Sequence, residues 1–141
     1  MNIKVVTSKE AIEQAYHIRT VVFVDEQKVS PEEELDSYDE TAIHFVAYDQ
    51  DKPIAASRLR FVDQYGKLER ICVLKAYRGQ SIGKQLIKAM EAVIAEEGYQ
   101  HAKLNGQTHA EAFYQRLGYQ TISEQFMDAG IPHVTMVKQL T

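Results

Sequence analysis

The sequence has a single cysteine, Cys72, among 141 residues. One cysteine excludes an intramolecular disulfide and any cysteine-rich metal site, and makes a reducing cytoplasm the expected compartment. No apolar run reaches the length of a membrane span, and Met1–Val6 lacks the apolar core of a secretory signal, so no membrane partner is expected. Excess positive charge is missing as well. The formal net charge is −4, which argues against general nucleic-acid binding, a task that calls for a basic domain. Repeats, low-complexity tracts and interdomain linkers are absent, and the length predicts one domain over 1–141. None of the five histidines has metal-ligand spacing with another, so no metal is expected.

What the chain does have is enough apolar sequence for a core, 45% hydrophobic against 26% charged. Its charge is also unevenly distributed. Residues 1–51 hold 12 acids and 4 bases, whereas residues 52–141 hold 8 acids and 12 bases. Within 58–88, eight Lys or Arg stand against only Asp63 and Glu69. That basic half suits a small anionic ligand.

Periodicity predicts the elements. Asn2–Val6 alternates as a strand, and Thr7 with Glu10 reads as a capping box opening a helix through Ile12, Tyr16, Arg19 and Phe23. The pattern fails from Asp25, and Glu32 through Glu40 reads as an acidic loop. Ile43–Tyr48, Ile54–Val62 and Lys67–Leu74 follow as strands with short connections, predicting an antiparallel meander. From about Ser81 to Glu97 the period becomes helical, with Ile82, Leu86, Met90, Val93 and Ile94 on one face and Gly98 placed to end it. A strand over His101–Leu104, a helix over His109–Leu117, and strands over Tyr119–Phe126 and His133–Leu140 complete the chain. A meander followed by a βαβ unit predicts a mixed α+β sheet with at least one parallel pair.

The segment Ile71–Lys84 carries the chemistry. A strand runs into a short loop and then a helix N-terminus, whose free N–H groups and dipole favour phosphate. Gly79 and Gly83 let a ligand approach the backbone, and Arg78 and Lys84 add charge. The same glycines would also serve a plain strand–helix junction. The loop is not a Walker loop: three residues rather than four separate Gly79 from Gly83, and Gln85 follows Lys84 where a Ser or Thr is needed. The dinucleotide pattern of three spaced glycines is absent.

Arg78-Gly79-Gln80-Ser81-Ile82-Gly83 resembles the acetyl-CoA loop of the GNAT superfamily of N-acetyltransferases. It departs from that loop at one constrained position, where Ser81 replaces a glycine. Phe113-Tyr114-Gln115-Arg116-Leu117-Gly118-Tyr119 is similar to the family's second motif at every specified position, and the element order matches over essentially all 141 residues. The resemblance implies a GNAT-type acyl-CoA N-acyltransferase fold, with a mostly antiparallel central sheet, a βαβ unit and a splayed parallel pair. It implies acetyl-CoA as co-substrate and direct attack of an amine in a ternary complex. It places the cofactor against Ile71, Cys72 and Val73, the loop Arg78, Gly79, Gln80, Ser81, Ile82, Gly83 and Lys84, and Asn105, Phe113 and Tyr114. A backbone N–H at Cys72 or Val73 would polarise the thioester, with Val73 preferred, and Tyr114 would be the acid for the leaving thiolate. Homodimerisation through the final strands is common in relatives.

Glu69 is the candidate base, if two-residue alternation places Glu69, Ile71 and Val73 on one face; an ion pair with a neighbouring Arg is the alternative. Cys72 reads as a packing residue, since no Cys–His–Asp arrangement accompanies it. At the acceptor end, Glu26, Glu33, Glu34 and Asp36 suit a cationic amine or polyamine, or form a solvated loop. Arg58 and Arg60, on one strand face, suit a carboxylate or phosphate, as in glucosamine-6-phosphate acetyltransferases, which the chain also resembles. His133 either faces the acceptor or caps a strand. The expected function is N-acetylation of a small-molecule amine; an amino-sugar phosphate acceptor, protein lysine, or CoA binding with little catalysis are the alternatives.

Overall fold

Apolar alternation gives four consecutive strands, β1 (Asn2–Val6), β2 (Ile43–Asp49), β3 (Lys52–Val62) and β4 (Tyr65–Val73), each antiparallel to the next. The computed structural model describes residues 1–140. Between β3 and β4 the two-residue turn Asp63-Gln64 has φ of 48° and 69°, the left-handed pair whose twist matches a tight hairpin.

Helix α1 (Lys9–Arg19) is capped one residue later than the sequence suggested. Ser8, not Thr7, accepts the hydrogen bond, from the Ala11 N–H at 3.1 Å. Its buried stripe is Ala15, Ile18 and Arg19, so of the series Ile12, Tyr16, Arg19 and Phe23 only Arg19 is fully buried. Over Thr20–Glu26 the helix widens into a π-helix, with the Gln27 N–H on the Val22 carbonyl at 3.1 Å. The acidic stretch is ordered, not an open loop. It forms α2 (Pro31–Glu34) and a 3₁₀ turn, Ser37–Glu40, closed by a reciprocal Asp36–Asp39 capping box.

Helix α3 (Ile82–Glu96) leads to β5 (His101–Gln107), which lies parallel to β4 through Gly66↔Ala102, Lys67↔Lys103 and Leu68↔Leu104. Pairing stops there, giving the expected splayed parallel pair. β5 runs to Gln107, so Asn105 lies inside the strand rather than at its end. Helix α4 is Glu111–Arg116, after a 3₁₀ turn at Thr108–Ala110. In place of one strand over Tyr119–Phe126 there are two short ones, β6 (Gln120–Thr121) and β7 (Phe126–Asp128), both pairing with β8 (Ile131–Gln139). The sheet order is β1-β2-β3-β4-β5-β8-β6, with β7 also on β8.

The sheet is covered on both faces. Leu86, Ile87, Met90 and Ile94 of α3 pack on Phe45, Leu59, Leu68, Leu104 and Met136. Ala15, Ile18 and Val22 pack the other face against Val6, Val46, Ala56 and Cys72. Each buried large aliphatic residue contributes about 1.5–3 kcal/mol. Gly66 lets α3 sit close on β4, since an added Cβ would clash with the Ile94 side chain.

A β-bulge in β4 decides which side chains face which layer. Ala56 pairs with Cys72 and Arg58 with Glu69, two steps on β3 against three on β4. The extra residue is Arg70, whose φ is +55°. A bulge reverses the alternation, and here it puts Glu69 on the α1 face with Cys72 while Ile71 and Val73 pack toward α3. The single face for Glu69, Ile71 and Val73 is therefore incorrect.

Candidate active site

Where β4 and β5 part, a cleft of about 920 Å³ opens between them. The Leu74 N–H donates to the Ile54 carbonyl at 2.9 Å. By alternation, Val73 turns its own N–H and C=O away from β3 and toward the cleft. The amide of Cys72 belongs to the β3 ladder, so Val73 carries the free edge. Its carbonyl receives Arg78 Nε at 3.0 Å.

Below this edge lies the N-terminus of α3. Ser81 at the N-cap is left-handed, with φ of 64°, and its side chain caps nothing, leaving the first-turn N–H groups without a side-chain partner. Gly79 has φ of +83° with open space where a Cβ would stand. Gln80, Ser81 and Lys84 are exposed, Ile82 is in the core, and Gly83 lines the cleft. The Arg78 guanidinium is bidentate to Glu26, at 3.0 and 2.8 Å from its two carboxylate oxygens. A candidate cofactor contact and a candidate acceptor contact are thus paired with each other.

Tyr114 and Phe113, on α4, form the opposite wall, their rings 5.2 Å apart. Tyr114 packs against Gly106, where an added Cβ would come within 2.9 Å of its ring. Burial pushes its phenol up to about 12, so it stays protonated and can donate. Cys72 points into the α1-side core, donates weakly to the Ala56 carbonyl at 3.6 Å, and is pushed up to about 12 by burial. Such a thiol is inert.

The acceptor end holds an ionic network. Arg19, fully buried, bonds Glu34 at 2.8 Å and Asp39 at 2.7 Å. Arg58 reaches Asp36 at 2.7 Å, Asp39 at 2.9 Å and Glu69 at 2.9 Å. Arg60 and Lys67 also hold Glu69, at 2.8 and 3.1 Å. Burial opposes ionisation of Glu69, but the Arg60 hydrogen bond and the Arg58 and Lys67 charges outweigh it and hold the carboxyl at about 2. Asp39 is held at about 2 in the same way, with Arg19 and Arg58 overcoming its burial. The structure thus gives Glu69 the ion pair, and a carboxylate so stabilised is a poor proton acceptor. Arg58 and Arg60 have carboxylate partners within the chain, and Glu34 and Asp36 have guanidinium partners.

On the far wall, Asn105 Oδ1 accepts from the Thr135 hydroxyl at 2.9 Å. Next along the pair of strands, Gln107 stands opposite His133 and bonds Gln27 of the segment after the π-helix at 2.9 Å. His133 Nδ1 lies 2.7 Å from the Ile131 carbonyl and its ring stacks on Phe126.

Arg19, Asp39, Gln27, Gln107 and Thr135 were not read from the sequence as site residues. Arg19 had a signal, a charge four residues from Ala15 and three before Val22 on a buried stripe. The others meet only through long-range pairing.

A family model described as "Acetyltransferase (GNAT) domain" matches residues 7–140. The chain is 45% identical to the uncharacterized N-acetyltransferase YjcF of Bacillus subtilis, over 98% of this chain and 99% of that protein. A crystal structure of a Lactobacillus plantarum protein assigned as an N-acetyltransferase is 34% identical and superposes with a TM-score of 0.93, covering 99% of this chain and 98% of that one. An aminoglycoside 6'-N-acetyltransferase complexed with coenzyme A has a TM-score of 0.78 over 99% of this chain and 97% of its own; at 16% identity the likeness is one of fold.

Proposed function

This chain belongs to the GNAT family of acetyltransferases, and on that premise we propose that it moves the acetyl group of acetyl-CoA directly to a primary amine of a small molecule. The observation that carries this reading is the free edge of β4. Strand alternation from the Leu74–Ile54 bond turns the Val73 N–H away from β3 and toward a cleft bounded by Tyr114 and by the N-terminus of α3.

The donor set fits a thioester with a pyrophosphate. The first-turn amides of α3, with Gly79 allowing close approach, suit the pyrophosphate. The exposed β4 edge suits an extended amide-bearing arm, which can pair as an added strand. Acetyl-CoA supplies the activated acyl carbon, and the chain supplies position, polarity and proton control. Val73 N–H donates to the carbonyl oxygen as charge develops there, a contribution on the order of 3 kcal/mol to barrier lowering. Tyr114, kept protonated by burial, donates to the departing sulfur. Arg78, exposed and paired with Glu26, adds charge beside the loop. Arg58, Arg60 and Glu69 shape the acceptor end through their mutual pairing rather than gripping the acceptor.

The test is thiol release from acetyl-CoA across spermidine, tyramine, kanamycin, glucosamine 6-phosphate and a lysine peptide. Turnover with at least one small amine and none with the peptide is expected. Tight CoA binding with no turnover on any amine would refute catalysis and leave a CoA-binding module. Preference for glucosamine 6-phosphate would identify the amino-sugar phosphate alternative.

A further inference from the structure

An amine that attacks a thioester must shed a proton as the new C–N bond forms, and the group that takes it needs a lone pair open to the cleft. The paired carboxylates in and beside the cleft do not offer one. Glu69 is held by Arg58, Arg60 and Lys67, Asp36 by Arg58, and Glu26, beside the cleft, by Arg78. Glu34 is held through Oε1 by Arg19, and its unpartnered Oε2 is buried rather than open to the cleft. His109 donates from Nε2 to Gln107 Oε1 at 2.6 Å, which leaves a lone pair on Nδ1, but its ring is exposed to solvent at the rim rather than shielded in the cleft wall. Glu32, Glu33 and Asp128 do have open carboxylates, but they are exposed at the rim and no side-chain hydrogen bond or ion pair among the described residues orients them.

His133 differs from all of these. It is 8% exposed and is one of the residues lining the cleft. Its Nδ1 faces the Ile131 carbonyl at 2.7 Å. A carbonyl only accepts, so Nδ1 carries the hydrogen, and the neutral ring then has its lone pair on Nε2. Among the described residues Nε2 has no hydrogen-bond partner. Phe126, with ring centroids 6.1 Å apart and planes at 24°, fixes the ring orientation. Cross-strand Gln107 and the Asn105–Thr135 pair place uncharged polar groups on the same face. The titratable groups nearest along these elements are Asp128 on β7 and His109 before α4, with the Glu69 network across the cleft.

We infer that His133 is the proton acceptor of the transfer, taking the amine proton on Nε2 directly or through one water, while Nδ1–H anchors the ring on Ile131. The inference rests on the acetyl-transfer reading. The amine lone pair forms the C–N bond and the C–S pair leaves with sulfur, which Tyr114 or solvent protonates. The proton shed by nitrogen goes to Nε2, and the resulting imidazolium returns it to water.

Two measurements test this. In the wild-type chain saturated with CoA at pH 8, ring ¹⁵N NMR is expected to show the Nδ1–H tautomer of His133; the Nε2–H tautomer would overturn the assignment. His133→Asn keeps an N–H near the Nδ1 position but removes the Nε2 lone pair. With the fastest of the five amines, this variant should lose about 10²-fold in kcat and lose the acid limb of the wild-type pH–rate profile. Its CoA Kd should be unchanged, which also reports that it folds. A retained acid limb, or a kcat within threefold of wild type, would overturn the inference. If no amine is acetylated by the wild type although CoA binds, the acetyl-transfer reading fails and takes this inference with it, whatever the tautomer.

Discussion

Replacing Glu69 by Gln separates a structural carboxylate from a catalytic one, because the two roles predict opposite patterns. Glu69 is nearly buried, its side chain 11% exposed, and is held by Arg58, Arg60 and Lys67. Its carboxyl moves from an ordinary 4.5 to about 2 on folding. At about 1.4 kcal/mol per unit, that shift stabilises the fold by roughly 3 kcal/mol at neutral pH, in line with the ~3–5 kcal/mol cost of breaking one partner from a buried ion pair. For a chain of this size the loss corresponds to a fall in Tm of about 10 °C. Because the folded value is depressed, the stabilisation is fully present above the unfolded value of 4.5 and is lost as pH falls through 4.5 toward 2. Urea unfolding of wild type and variant between pH 7 and pH 2 should show a gap of about 3 kcal/mol that closes across that window. Below the variant's Tm, kcat should stay within about tenfold of wild type. A variant of unchanged stability whose kcat falls by about 10² or more would refute the structural role and restore Glu69 as the base.

Tyr114→Phe removes the phenol that burial keeps protonated; kcat is expected to fall about 10²-fold, with CoA Kd by calorimetry within twofold, and unchanged turnover would discard the acid role. Ser81→Gly relieves a left-handed backbone, φ +64°, and should raise stability by up to about 1 kcal/mol in urea while leaving CoA binding equal or tighter. Weaker binding by that variant would show that the hydroxyl contributes. Cys72, buried and pushed up to about 12, should resist iodoacetamide at pH 8 until the chain is unfolded, and Cys72→Ala should keep turnover within about threefold. An acetyl-cysteine adduct seen by mass spectrometry would contradict a direct transfer.

The parts of the site that were legible in the sequence are local. The loop from Arg78 to Gly83, the Phe113–Tyr119 motif and the α3 stripe each depend on neighbours a few residues apart, so their spacing survives in the one-dimensional chain. The miss at Thr7 is of the same local kind, since Ser8 beside it offers an equally good cap and only packing chose between them. Glu69 was a different matter. Its face depends on the bulge at Arg70, which exists only as a mismatch of register between β3 and β4. Likewise the acidic stretch 32–40 is indistinguishable from a solvated loop until its partners, on a helix and two strands far along the chain, are brought to it.

By itself the sequence determined the order of the main strands and helices, the family and the glycine loop before α3, because these follow from periodicity and short-range motif spacing. It also determined that the first third is acidic and residues 58–88 basic. Only the tertiary structure decided what that asymmetry does. Asp36 and Asp39 from the acidic third cross over onto Arg58, and Glu34 and Asp39 bind Arg19, so much of the contrast is spent inside the protein rather than on ligands. Desolvated charges are stable only when paired, and the fold of β3, β4 and the 3₁₀ turn fixed which carboxylates met which guanidinium groups.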